Sequence, residues 1–180
     1  MIKFVYQNVP KGTGDAVLKT KRFITDKYFL MLLPDDLIIK KNCSKSMINV
    51  HQKYKSSVMA SMQVNKSTVS RWGIYNLTKR LSKSDYLISD VVEKPSIKDA
   101  PSNKAVIGRY ILPKTIFKKL KNQNSGNGGE IHITDAIQSL IKDNENFIAH
   151  NFSGKYLDCG TMNGYINSGK KISNLWNYAW

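Results

Sequence analysis

The chain has 180 residues, is 41% apolar and carries a formal charge of +15, from 24 Lys and 4 Arg against 13 acids. That length buries one ordinary core; the longest apolar run, residues 28–33, is far short of the roughly 20 residues that cross a bilayer, and two cysteines 116 positions apart make neither a disulfide framework nor a zinc site. The charge raises nucleic-acid binding, yet Lys is scattered rather than blocked with aromatics, Arg is scarce, and no finger, ribonucleoprotein or helix-turn-helix signature occurs, which argues against it.

In chain order, residues 2–6 read as a short strand, which Pro10-Lys11-Gly12-Thr13-Gly14 breaks before a helix over 15–21. Residues 28–33 are continuously apolar, the pattern of a strand covered on both faces in a parallel sheet, and they stop at Pro34-Asp35-Asp36. Two carboxylates therefore stand at a strand's C-terminal edge, where ligands of open α/β sheets collect. Ser44 caps an amphipathic helix to about Lys55, and 57–64 alternates as a strand. Trp72-Gly73-Ile74-Tyr75 opens a hairpin-like stretch, and a strand over 86–92 runs into Glu93-Lys94-Pro95.

A strand over 105–112 leads to Pro113, read as the first turn of a helix to Leu120, and then to a Gly/Asn/Ser loop over 121–129. His132 alternates with Ile131 and Ile133 as a solvent-facing strand residue would, and Thr134 caps a helix over 135–142. A strand over 147–152, the turn Asp158-Cys159-Gly160 and a helix over 162–171 close a domain of residues 1–171, and 172–180 form an irregular tail. His51 and His150 carry no partner signal, and no Ser/His/Asp or Cys/His catalytic arrangement is legible. Residues 1–12 lack the basic-then-apolar form of a leader, so a soluble cytoplasmic protein is expected.

Three blocks are distinctive. The first is Asp90-Val91-Val92-Glu93-Lys94-Pro95 with Ala100-Pro101-Ser102-Asn103, the second Val106-Ile107-Gly108-Arg109-Tyr110-Ile111-Leu112, and the third Gly128-Gly129-Glu130-Ile131-His132-Ile133-Thr134-Asp135-Ala136-Ile137. In this order, between Leu33-Pro34-Asp35-Asp36-Leu37 and Asp158-Cys159-Gly160, the text resembles the bacterial UTP–glucose-1-phosphate uridylyltransferases over nearly the whole chain. Related nucleotidyltransferases that use dTTP, CTP or ATP are the nearest alternatives. The resemblance implies a Rossmann-like, glycosyltransferase-A-like α/β fold, with a mixed, mostly parallel sheet and flanking helices. It implies direct in-line transfer from UTP to glucose 1-phosphate, giving UDP-glucose and pyrophosphate with Mg²⁺.

Residue by residue, it implies that Gln7 and Gly12 meet the nucleotide base and that Asp35 and Asp158 hold the metal. Gly73 and Glu93 then meet the sugar, and Lys94 its phosphate. Read without it, Gly12 and Gly14 are equally turn glycines, Asp35 or Asp36 a helix cap, Asp158 a turn residue and Glu93-Lys94 an exposed pair of little energetic consequence. Gly108 fits either the same pocket or close helix–strand packing. Trp72 stands where the family more often has Tyr, and the text after Leu175 is not its usual continuation.

The family also opens with a Gly-rich nucleotide loop and a Pro-Lys segment, and neither stands in these residues. The expectation is a chain truncated at its N-terminus, with no catalytic residue to assign, inactive in isolation, and acting as a homo-oligomer or beside a second chain that supplies the opening segment. A non-catalytic sugar-nucleotide-binding fragment is the alternative, and a basic nucleic-acid-binding protein a further one.

Overall fold

The computed structural model describes residues 1–124 and 129–175. Residues 125–128 of the expected Gly/Asn/Ser loop, with Gly128 of the third block, lie outside the described residues, as do residues 176–180 of the expected tail. The elements are α1 (Thr13–Lys19), β1 (Tyr28–Leu32), β2 (Asp36–Ile39), α2 (Cys43–Tyr54), β3 (Ser57–Gln63), β4 (Gly73–Arg80), β5 (Asp85–Glu93) and β6 (Lys104–Pro113), then α3 (Ile116–Asn122), α4 (Ile133–Lys142), β7 (Phe147–Asn151), β8 (Lys155–Asp158) and α5 (Met162–Leu175). Short 3-10 turns follow α1 and precede β4.

Six strands form one sheet in the order β1-β6-β3-β7-β5-β4, and the pair Ile74↔Ala105 brings β4 back to β6, closing a ring of five. The expectation of a mostly parallel sheet is corrected here: among the described residues only β3 and β7 run parallel, and β6 is antiparallel to β1, β3 and β4. A continuous apolar run reports cover on both faces and says nothing about direction. Cover on both faces is real for β3, β6 and β7. Val58, Ala60, Ile107, Ile111 and Ile148 face α2, while Met59, Tyr110, Leu112, Phe147 and Ala149 face the core shared with α1, α3 and α4. Period-two alternation thus feeds two apolar layers. The run expected to be most buried is instead the edge strand β1, with Leu30 37% and Leu32 49% exposed.

Helices sit where their apolar stripes meet these layers. Buried Cys43, Met47 and Val50 recur at the spacing of one helix face in α2, as Ile133, Ala136, Ile137 and Leu140 do in α4. Asn42, not Ser44, caps α2, its side chain accepting from the Lys45 N–H at 2.9 Å. Pro113 ends β6 opposite Tyr28 rather than starting a helix; the bond to the β1 side falls on the next residue, Lys114 N–H to the Lys27 carbonyl, and β3 pairs no further than Ile111, so its missing N–H breaks no ladder bond. His132 holds the N-cap position of α4, and Thr134 lies inside that helix. Residues 2–6 form no strand, with Ile2, Phe4 and Tyr6 all more than three-quarters exposed. Helix α5 continues to Leu175, four residues into the expected tail. Among the described residues no helix is long and apolar enough to cross a membrane.

Candidate functional site

The chain leaves β1 at Leu33, whose N–H bonds the Gly108 carbonyl at 2.8 Å, and turns through Pro34 and Asp35 into β2. Strand β2 then pairs with β8 so that Asp36 lies opposite Asp158. The Asp35 carbonyl accepts from the Cys159 N–H at 2.8 Å, clamping the two strand ends together. Asp35 Oδ2 and Asp158 Oδ1 consequently converge, lying 2.8 and 3.5 Å from the point a Cβ on Gly160 would occupy. Two acids 123 positions apart in the chain share one small space. Asp158 is a turn residue as well, since its Oδ1 accepts from the Gly160 N–H at 3.0 Å. Asp35 is exposed and caps no helix.

Asp36 faces the other way. Its Oδ2 accepts from the Gly108 N–H at 2.6 Å and its Oδ1 from the Tyr156 hydroxyl. Burial first, and then the Asp36 bond and the charges of Asp36, Asp158 and Asp35, push the Tyr156 phenol far above its ordinary range, so it remains a donor. A Cβ on Gly108 would lie 2.5 Å from Asp36 Oδ2 and from Leu33 Cβ. Glycine is therefore required at 108 by close approach of the β1–β2 turn rather than by helix–strand packing.

The second group is equally tight. Gly73 pairs with Glu93 across β4 and β5, and a Cβ there would lie 3.0 Å from Glu93 Oε2. Beyond β5, Lys94 takes a left-handed φ of 46° and donates its N–H to the Trp72 carbonyl at 3.0 Å. That break in the pleat lets two adjacent residues serve one side, and both Glu93 and Lys94 are exposed. The two groups adjoin. Arg71 Nη2 lies 3.9 Å from Asp158 Oδ2, and the Trp72 ring meets Tyr156 edge-on at 5.8 Å. Tyr110, buried behind them, is pushed above its ordinary range by burial and then by Asp36, Glu93 and Asp35.

Gln7 and Gly12 also meet, but elsewhere. Gln7 Nε2 donates to Gly12 O at 3.2 Å and to Asp15 Oδ2 at 2.7 Å. The second bond is the main reason the Asp15 carboxyl sits below its ordinary range; burial opposes it, and Lys19 and Lys11 assist. Gly12 has φ 91°, and Gly14 donates to Ile131 O at 2.7 Å, so this glycine pair packs a turn against residue 131. No hydrogen bond or ion pair among the described residues joins this corner to Asp35, Asp158, Glu93 or Lys94.

The converging carboxylates suit a hard divalent cation. Mg²⁺ takes one or two carboxylates and completes its octahedron with water and phosphate oxygens, and among the described residues no cluster of three His, Cys, Asp or Glu offers a fuller cage.

Sequence reading missed the role of Asp36, and missed Tyr156 and Arg71 as site residues. Only the pairing of β2 with β8 puts Tyr156 and Asp36 together, and a two-residue offset from Gly73 was the one available signal for Arg71. It also missed a buried relay outside the site. His150 Nδ1 lies 2.7 Å from Asp85 Oδ1 and its Nε2 3.0 Å from Ser46 Oγ, while Ser82 Oγ donates to Asp85 Oδ2 at 2.7 Å. Ser46 Oγ also lies 2.7 Å from the Cys43 carbonyl. The relay ties α2 to β7 and to the start of β5. Burial raises the neighbouring Cys43 thiol to about 11, so it is inert.

The nucleotidyl transferase family profile matches residues 1–174. A UTP–glucose-1-phosphate uridylyltransferase of Pseudomonas aeruginosa is 38% identical over 168 residues, covering 92% of this chain and 60% of that protein. UTP–glucose-1-phosphate uridylyltransferase 2 of Streptococcus pyogenes serotype M1 is 37% identical over 172 residues, covering 93% and 57%. Among solved structures, a UDP-glucose pyrophosphorylase complexed with UDP-glucose superposes with a TM-score of 0.89 at 39% identity, covering 96% of this chain and 66% of that one. A UTP-bound UGPase from Acinetobacter baumannii gives 0.78 at 29% identity, covering 96% and 64%. The chain thus spans about 60% of the length of the curated relatives it matches. By its family profile the chain belongs to the nucleotidyl transferases, and within them it is similar in sequence and fold to UTP–glucose-1-phosphate uridylyltransferases.

Proposed function

We propose that the chain carries the sugar-phosphate and metal-binding part of a UTP–glucose-1-phosphate uridylyltransferase site, which forms UDP-glucose and pyrophosphate. The observation that carries this reading is the meeting, on one edge of the sheet, of Asp35 and Asp158 with the Gly73–Glu93–Lys94 corner. Glu93, exposed and acceptor-only when ionised, takes hydrogen bonds from sugar hydroxyls, and buried Gly73 keeps clear the space in which Glu93 Oε2 lies. Lys94 meets the sugar phosphate as a compact charge, held in place by the bond from its own N–H to Trp72 O. A divalent cation at Asp35 and Asp158 supplies neutralisation of phosphate charge along the line of transfer. Gln7 and Gly12 hold the base side, Gln7 through its amide oxygen, since its two N–H donors go to the Gly12 carbonyl and to Asp15 Oδ2.

Direct transfer needs position and charge rather than a protein nucleophile, and the Ser46–His150–Asp85 relay lies in the α2 layer with no bond to the site acids. None of the residues assigned above meets the β- and γ-phosphates of UTP, so the property proposed for them is binding of UDP-glucose rather than turnover. The test is a titration of the purified chain with UDP-glucose in magnesium, alongside pyrophosphate release from UTP and glucose 1-phosphate. Saturable magnesium-dependent binding with no steady release is expected. No binding of UDP-glucose, or vigorous turnover abolished by Asp35→Asn, contradicts the assignment.

A further inference from the structure

Of the four arginines among 28 basic residues, three are engaged by groups other than the candidate metal and sugar ligands. Arg109 Nη1 donates to the Leu33 and Gly108 carbonyls, Arg80 Nε to the Ser82 carbonyl, and Arg22 lies over the Phe23 ring. Arg71 differs. Its side chain is 63% exposed, its guanidinium carbon stands 5.8 Å from the centre of the Trp72 ring, and it reaches Asp158 only at 3.9 Å. An exposed pair at that distance contributes almost nothing to stability, so the guanidinium is placed without being spent.

The placement follows from the two ends of Asp158. Oδ1 turns to the Gly160 N–H and to the space shared with Asp35, while Oδ2 turns to Arg71. Arg71 is also two residues from Gly73 and one from Trp72, whose carbonyl fixes Lys94. A phosphate that joins a sugar lying against Gly73 and Glu93 to a cation lying between Asp35 and Asp158 has to cross the interval that Arg71 spans.

We propose that Arg71 is a phosphate-binding residue of this site, its planar fork taking two oxygens of the phosphate that Lys94 meets as a point charge. The inference rests on the sugar-nucleotide reading above. Arg suits the task in a chain that otherwise uses Lys sixfold more often, because two parallel N–H donors fix a phosphate's orientation as well as its charge.

The experiment is calorimetric titration of UDP-glucose and of glucose 1-phosphate, in magnesium, into wild type, Arg71→Gln and Arg71→Lys. Binding of Mn²⁺ without nucleotide is followed in the same proteins by electron paramagnetic resonance. Arg71→Gln keeps a polar side chain at this position and loses the charge and the fork. Its affinity for both ligands falls about 10- to 100-fold, Arg71→Lys recovers part of the loss, and Mn²⁺ affinity and melting temperature stay at wild-type values. Wild-type affinity in Arg71→Gln overturns the proposal. So does a parallel loss of Mn²⁺ binding, which would make Arg71 a positioning residue for Asp158. Failure of wild type itself to bind UDP-glucose overturns the sugar-nucleotide reading, and this inference with it.

Discussion

Replacing Gly108 by Ala probes the joint on which the metal-side acids depend. The added methyl would stand 2.5 Å from Asp36 Oδ2 and from both Leu33 Cβ and Leu33 Cδ1. Neither neighbour is a free flexible end: Leu33 N–H is bonded to the Gly108 carbonyl at 2.8 Å, and Asp36 is held by the Gly108 N–H at 2.6 Å and by Tyr156. Forcing an extra carbon into a packed joint costs about 1–3 kcal/mol. If Asp36 withdraws, the lost bond to a charged acceptor adds about 1.5–3 kcal/mol. In a chain of this size each kcal/mol moves the melting temperature by about 2–4 °C, so a fall on the order of 10 °C is expected by circular dichroism. Asp35 precedes Asp36 directly, and magnesium-dependent UDP-glucose binding falls in parallel. The control is Gly169→Ala in α5, where an added Cβ meets nothing within 4 Å and stability rises by about 0.5–1 kcal/mol. A Gly108→Ala protein that melts with wild type and binds as tightly refutes the reasoning.

Tyr156→Phe removes one of the two donors to Asp36 and costs about 1.5–3 kcal/mol in urea denaturation; an unchanged midpoint would mean the hydroxyl is dispensable. Lys94→Ala weakens glucose 1-phosphate binding by about 1.5–3 kcal/mol in calorimetry, and Lys94→Arg does not fully restore it, because a planar fork replaces a compact charge. Equal affinities for wild type and Lys94→Ala reject that role. Asp85→Asn breaks the buried relay to His150 and Ser82 and lowers stability by about 3 kcal/mol, with UDP-glucose affinity unchanged at temperatures where the protein remains folded. A change in affinity without a change in stability would move the relay into the site.

What was legible in the sequence was local. Glu93-Lys94-Pro95 and Asp158-Cys159-Gly160 both mark strand ends, and the structure ends β5 and β8 there. The core periodicities of α2 and α4 were equally plain. Strand direction was not, because Val58 to Ala60 are buried on alternate faces whichever way their neighbours run. The edge position of β1 was hidden for the same reason: 28–33 is as apolar as a central strand, yet its outer side has no partner strand among the described residues. The bond between Asp36 and Gly108 was not legible because it is a contact across 72 positions, set by the antiparallel return of β6 past the end of β1. The His150 relay likewise draws on three elements distant in sequence.

The central claim is that Asp35 and Asp158 hold one divalent cation together with a sugar nucleotide. Mn²⁺ titration of wild type, Asp35→Asn and Asp158→Asn, followed by electron paramagnetic resonance with and without UDP-glucose, tests it most directly. The account predicts one site per wild-type chain, tightened by UDP-glucose. It predicts marked weakening in either variant, while the circular dichroism spectrum stays that of the folded chain. Wild-type Mn²⁺ binding in Asp158→Asn, or binding indifferent to UDP-glucose, would contradict it.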